Sequence, residues 1–209
     1  MNYNQALSQR YSVKKFDTNR NIPQPILNNI LTAGKLSASS LGLQPYRIVV
    51  IESDALKQRL IPIFKNPSQV STCSHLVVIV TKKNIEDSYL EGYLTHITQV
   101  REIPMTQLEL FRQSIRGYIE THTEESLWSW NEKQSYIVLG NLMFAAALES
   151  VDSCPMEGFD AAAMNQILEL DTTKEAASVT LALGYRAEDD TFQHYKKVRK
   201  PDDKLFQFL

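Results

Sequence analysis

Glycine is scarce in this chain of 209 residues. There are seven, at positions 34, 42, 92, 117, 140, 158 and 184, and no two lie closer than eight residues. That spacing excludes the GxGxxG turn of dinucleotide-binding folds and the GxxxxGK[ST] phosphate loop. A nucleotide bound here would have its phosphate held by side-chain cations. Cysteine is scarcer still: Cys73 and Cys154 are the only two, too far apart for a CxxC motif, and free thiols are expected. The four histidines, His75, His96, His122 and His194, share no metal-ligand spacing, and neither GxSxG nor HExxH occurs. A zinc enzyme or a triad hydrolase is disfavoured, and no metal site is expected. Charge of one sign is lacking too. Lys and Arg number 22 against 24 Asp and Glu, a net charge of −2, so no basic excess advertises nucleic acid or an anionic membrane. The longest apolar run, Leu142 to Leu148, falls far short of the about 20 residues that span a bilayer. Met1 to Lys15 alternates polar and apolar residues without the apolar segment of a signal peptide. A soluble, cytoplasmic protein is the expectation.

What is present reads as one α+β domain over 1–209, with 43% hydrophobic and 22% charged residues. A short helix is predicted over Asn4–Arg10, followed by the polar turn Asp17–Asn21. Pro23 and Pro25 open a helix in which Ile26, Leu27, Ile30 and Leu31 recur at helical spacing. It runs out into Ser37–Pro45, a loop rich in hydroxyls. Ile48–Ile51 and Leu76–Thr81 read as strands buried on both faces, and Ser53 as the N-cap of a helix through Leu60. Asn84–Trp128 is polar and helical, and packing explains its scattered aromatics better than substrate contact does. Glu132–Glu149 is a helix apolar nearly all round, which must be buried on every side, in a core or a subunit interface. Asp160 caps a helix to Leu170, and Ser178–Leu183 is a third strand ended by Gly184. The tail is charged through Asp203 and finishes Leu205-Phe206-Gln207-Phe208-Leu209, strand-like residues with no hairpin mate.

Two cation clusters carry chemistry. Arg10, Ser12 and Lys14 occupy alternate positions and share one face if the segment is extended. A guanidinium, a hydroxyl and an ammonium in a row suit a phosphate followed by a polyol chain. Lys196-Lys197-Val198-Arg199-Lys200 supplies the second cluster. Each alone reads more readily as a solvated charged face, and only folding could join them.

Five segments together resemble the nitroreductase family of FMN-dependent oxidoreductases. Arg10-Tyr11-Ser12-Val13-Lys14-Lys15-Phe16-Asp17 is similar to its R-x-S-x-[RK]-x-F-[DS] opening. Ser39-Ser40-Leu41-Gly42-Leu43-Gln44-Pro45 resembles its S-S-x-N-x-Q-P-W loop, and Pro155-Met156-Glu157-Gly158-Phe159-Asp160 its P-x-E-G-F-D segment. Leu183-Gly184-Tyr185 and Lys197-Val198-Arg199 resemble its L-G-Y/H and K-x-R endings. The nearest subgroup is that of oxygen-insensitive NAD(P)H nitroreductases and related quinone and pteridine reductases. The resemblance implies a three-layer α-β-α fold around a mainly antiparallel sheet. It also implies a homodimer with FMN sites at the interface, a variable pocket-wall segment at about 84–128 and a C-terminal arm at about 200–209 exchanged between subunits.

Carried over residue by residue, the resemblance has Arg10, Lys197 and Arg199 holding the phosphate, Tyr11 beside them, and Ser12 at the phosphate–ribityl end. Lys14 lies by the pyrimidine edge near N1 and O2, where reduction concentrates negative charge. Asn66 and Gln69 touch the isoalloxazine or ribityl, or belong to an ordinary polar loop. Ser39, Ser40 and Gln44 reach in from the partner subunit. Pro155, Met156, Glu157 and Gly158 face the ring, with the backbone N–H of Glu157 toward flavin N5; the same turn also reads as a cap for the Asp160 helix. Three positions depart from the pattern: Gly42 replaces the usual Asn, Tyr46 a common Trp, and Gln69 a Lys found in some members. The implied mechanism is ping-pong, with NAD(P)H giving a hydride to N5 and a nitroaromatic, a quinone or another flavin then taking the electrons. The rivals are a same-fold flavoenzyme with another reaction, fragmentation or desaturation, and a non-catalytic FMN-binding or sensing protein.

Overall fold

In the computed structural model, which describes residues 2–209, four antiparallel strands form the centre. They are β1 (Tyr46–Ile51), β2 (His75–Lys82), β3 (Asp152–Met156) and β4 (Glu175–Gly184), in the order β1-β2-β4-β3. The helices are α1 (Tyr3–Gln9), α2 (Gln24–Lys35), α3 (Asp54–Leu60), α4 (Pro67–Thr72), α5 (Asp87–Arg101), α6 (Glu109–Glu120), α7 (Glu124–Leu148), α8 (Ala161–Ile167) and the single turn α9 (Asp202–Leu205).

Alternation along β2 builds three layers. Leu76, Val78 and Val80 face one way, onto Leu60 of α3, Val70 of α4 and Met164 of α8, with Val13 and Phe16 in the same cluster. Val77 and Ile79 face the other way, onto Leu27 and Ile30 of α2 and Val138, Leu139 and Leu142 of α7. Because both faces are covered, every β2 residue from His75 to Thr81 is buried. Outside the sheet, α5, α6 and the first half of α7 share a smaller core around Leu90, Leu94, Ile115 and Trp130.

The structure corrects several expectations. β1 is not buried on both faces: Ile48, Val49 and Val50 are half-buried, because an edge strand has one neighbour and thinner cover. A fourth strand, β3, joins the three that the sequence predicts, and β4 begins at Glu175, three residues before Ser178. α7 starts at Glu124, where the Thr123 hydroxyl accepts from the Ser126 N–H, so Trp128 and Trp130 belong to the same helix as the apolar run. That helix is not buried on every side. Tyr136, Ile137 and Leu148 are 41%, 45% and 40% exposed and fall on one stripe with Gly140. α8 stops at Ile167, short of Leu170, with Glu169 in left-handed backbone just beyond. The tail from Leu205 to Leu209 is exposed, extended at Phe206 and, among the described residues, bridged to no strand.

Candidate functional site

The segment after α1 lies along the sheet. Ser12 makes a parallel bridge with Ser153 of β3, the Val13 N–H donates to the Ser153 carbonyl at 3.4 Å, and Phe16 bridges Arg186. Val13 and Phe16 anchor it by full burial. The backbone bends at Lys14, between the bridges at Ser12 and Phe16, so the alternation of Arg10, Ser12 and Lys14 is not that of one continuous strand. The three line a cavity of about 560 Å³ together with Tyr11, Lys197 and Arg199, so the fold does bring the two cation clusters together.

Two contacts join the ends of the chain here. Lys197 Nζ donates to the carbonyls of Leu7, in the last turn of α1, at 2.7 Å, and of Arg10, its C-cap. Asp190, only 3% exposed, accepts the Tyr11 hydroxyl at 3.0 Å and the backbone N–H groups of Lys14 at 2.8 Å and Lys15 at 3.4 Å through one oxygen. Its other oxygen accepts the Phe192 N–H at 3.1 Å. Burial pushes this carboxyl up, but the donors outweigh it and hold it below the usual aspartate value. Arg186 forks onto Asp152 of β3 at 2.5–3.0 Å, with its guanidinium over the Tyr11 ring.

The electrostatics of the cavity are unbalanced. Arg10 Nη1 is buried with no hydrogen-bond partner. Burial and then the Arg199 charge lower the Arg10 pKa; burial, Arg10 and Arg199 together lower that of Lys197. A buried orphan donor among like charges is costly unless an anion completes it. A phosphate, with three acceptor oxygens and about −1.5 to −2 of charge, meets that need.

Lys14 and Phe192 also line a second cavity of about 480 Å³, which adds Asn66 and the buried Gln69. The ammonium of Lys14 stands 5.5 Å from the centre of the Phe192 ring. The two cavities adjoin at Lys14 and Phe192, so the groove has Arg10 beside one part and Gln69 beside the other. Pro155, Met156, Glu157 and Gly158 line neither cavity. Their turn is held by Lys65 N–H to the Gly158 carbonyl at 2.8 Å, and Asp160 Oδ1 caps α8 at the Ala163 N–H, so the capping reading of this turn is correct. The Glu157 carboxylate accepts the Tyr136 hydroxyl at 2.5 Å. Burial and that carboxylate both raise the Tyr136 pKa.

Ser39, Ser40 and Gln44 also lie away from the groove. Gln44 lines instead a cavity of about 1040 Å³, which runs along β1 between α2 and α5. Asp190 and Phe192 were missed in the sequence, where Glu188-Asp189-Asp190 reads as one more charged surface run. Among the described residues no cluster of His, Cys, Asp and Glu could hold a metal.

Known proteins place this fold. The nitroreductase family model matches residues 7–185. A Staphylococcus saprophyticus protein provisionally named NAD(P)H nitroreductase is 36% identical over 213 residues, covering 98% of this chain and 95% of that one. A Staphylococcus haemolyticus protein under the same provisional name is 35% identical over 212 residues, with the same coverage of 98% and 95%. The crystal structure of a provisionally named NAD(P)H:FMN oxidoreductase from Staphylococcus epidermidis superposes with a TM-score of 0.88 at 26% identity, covering 100% of this chain and 96% of that chain. One of a provisionally named nitroreductase in complex with FMN, from Exiguobacterium sibiricum, has the same TM-score of 0.88 at 22% identity over 100% and 98% of the two chains, a likeness of fold. With the Arg10 signature, the Ser39 loop and the Pro155 turn all inside the matched span, the chain belongs to the nitroreductase family.

Proposed function

We propose that this chain is an FMN-dependent NAD(P)H oxidoreductase that reduces nitroaromatic, quinone or similar acceptors. The observation that carries the reading is the buried, unpartnered Nη1 of Arg10 in a cavity shared with Lys197 and Arg199. Arg10, Lys197 and Arg199 would hold the FMN phosphate, Ser12 the adjoining polyol, and Lys14, Asn66 and Gln69 the polar edge of the ring. FMN when bound supplies the redox chemistry, taking a hydride from NAD(P)H and handing two electrons to the acceptor. Lys14 contributes a fixed positive charge where that chemistry gathers negative charge. Asp190 fixes the Lys14 backbone and so aims its side chain. Glu157 and Gly158, just beyond β3, would supply backbone N–H donors to the flavin, with Gly158 permitting close approach.

The unit that works is a homodimer in this reading, in the cytoplasm. The outer edge of β3 is capped at Ser153 by Ser12 and Val13, and no described segment bridges that of β1. The arm at 200–209 would therefore add to the β1 edge of the partner, in the cavity lined by Leu31, Tyr46, Ile48 and Val50. The exposed stripe of α7 at Tyr136, Ile137 and Leu148 would complete the interface, and Ser39, Ser40 and Gln44 would serve the partner's site. Among the described residues no helix is long and apolar enough to cross a membrane.

The test is reconstitution. Purified protein should take up about one FMN per chain, turn yellow, and oxidise NAD(P)H anaerobically when a nitrofuran or menadione is added. A chain that stays colourless in excess FMN overturns the cofactor assignment. Bound FMN with no nucleotide oxidation across an acceptor panel would favour the binding or sensing rival.

A further inference from the structure

The loop between α2 and β1 has an unusual backbone. Leu41, Gly42 and Gln44 all adopt positive φ, at 55°, 71° and 44°. Left-handed backbone is unfavourable for leucine and glutamine, so it persists only where the surroundings over-determine it. The restraint comes from α5. Tyr93 Oη donates to the Leu41 carbonyl at 3.0 Å, and Tyr89 Oη lies 2.8 Å from both the Leu43 and the Gln44 carbonyls. These tyrosines are four residues apart on one helix face, so a single rigid element grips the strained stretch at both ends. From the other side, Ser39 Oγ accepts the Gln44 N–H and Gln134 Oε1 accepts the Ser40 N–H, each at 2.8 Å. Burial, then Tyr46 and Tyr93, push the Tyr89 phenol up to about 12.

Gly42 fits the same device. A Cβ placed there would lie 2.4 Å from Tyr93 Oη, so the position is closed by the hydroxyl as well as by its φ. Asparagine tolerates left-handed backbone. The Asn that the resembling motif carries is therefore shut out here by space, and Tyr93 is what fills that space.

We propose that Tyr89 and Tyr93 are positioning residues that hold the Ser39–Gln44 loop in the shape it needs to serve the cofactor site, and that Gly42 and Tyr93 form a matched pair. The proposal rests on the FMN reading above. Because both tyrosines belong to the helical pocket wall, the wall also sets the geometry of the loop.

Four variants of the FMN-loaded protein test it: Tyr89→Phe/Tyr93→Phe, Tyr93→Phe, Gly42→Asn, and Gly42→Asn/Tyr93→Phe. Hydrogen exchange over residues 38–46 and FMN affinity by fluorescence are read on each. The double Phe variant should speed exchange in that loop and weaken FMN by about fivefold or more, the loss of buried hydrogen bonds. Gly42→Asn should weaken FMN at least as much in the Tyr93 background, yet by less than about twofold in the Tyr93→Phe background, a coupling expected only of contacting residues. Unchanged exchange in the double Phe variant overturns the clamp, and additive costs overturn the matched pair. Faster exchange with unchanged FMN affinity overturns the positioning role. A wild-type chain that binds no FMN overturns the cofactor reading and the role together, and exchange still judges the clamp by itself.

Discussion

The carboxylate of Asp190 accepts the backbone N–H of Lys14 at 2.8 Å, a contact between residues 176 apart in the chain. The same group takes the Tyr11 hydroxyl and the Phe192 N–H, so one buried side chain sets the path of the segment that carries Arg10, Ser12 and Lys14. Asp190→Ala should destabilise the protein by about 2–3 kcal/mol, since several buried donors lose a charged acceptor. FMN affinity should fall with it. Thermal unfolding and fluorescence titration check the two effects.

The pH dependence has a defined sign. Asp190 sits below its ordinary carboxyl value, so the unfolded chain binds a proton first as the pH drops. Its contribution is complete above about pH 4, the unfolded value, and is lost as the pH falls through the folded one. Asp190→Asn should be less stable than wild type at pH 7 and should show a shallower loss of stability in acid. Equal slopes for both proteins in urea titrations from pH 6 downward would mean that other carboxylates govern acid unfolding.

Arg10→Met should separate stability from binding. The guanidinium is half-buried, has an unpartnered Nη1 and is repelled by Arg199. The apo-protein should therefore melt at an equal or higher temperature after the substitution. FMN binding should weaken by about 1.5–3 kcal/mol, the worth of a charge-assisted hydrogen bond, while riboflavin binding stays unchanged. Equal losses for FMN and riboflavin would remove Arg10 from the phosphate.

Gly184→Ala should cost about 1–3 kcal/mol by overpacking. The new Cβ would stand 2.8 Å from Cδ1 of the fully buried Phe16 and 3.3 Å from the Ser74 backbone nitrogen. Phe16→Leu should cost less in the Gly184→Ala background than in wild type, because it removes the clashing ring. Additive costs by denaturant unfolding would show that the Ser74 backbone makes the clash.

Deleting residues 202–209 should lose dimer and FMN together if, as proposed, the arm and the Ser39 loop both serve the neighbour. A truncated chain that light scattering shows as a dimer, with FMN retained, would assign the interface to the α7 stripe alone.

The sequence made some of this plain. β2 was legible because an unbroken β-branched run buried on both faces has few other readings, and the caps Ser53 and Asp160 sit where a side-chain oxygen is followed by a helical pattern. β3 was not legible. Asp-Ser-Cys-Pro-Met holds no β-branched residue, and its strand character comes from pairing with β4. The exposure of β1 depends on how many neighbours it has, which no local pattern encodes. In the site, the alternation of Arg10, Ser12 and Lys14 was visible as spacing. The role of Asp190 was hidden because its donors Tyr11 and Lys14 are at the other end of the chain. Tyr89 and Tyr93 carried a visible i, i+4 relation, but nothing local revealed that their hydroxyls reach a loop about 50 residues upstream.

The unequal edges of the sheet bear on how the protein is made. One edge is closed within the chain at Ser153, whereas β1 presents half-buried Ile48, Val49 and Val50 beside unbridged backbone. For the proposed dimer, an isolated chain therefore carries a ready template for non-native strand pairing until the partner's arm covers it. Correct and incorrect association then compete for the same edge during renaturation. Yield of native protein should pass through a maximum as chain concentration rises, with slow assembly limiting the dilute side and precipitation the other.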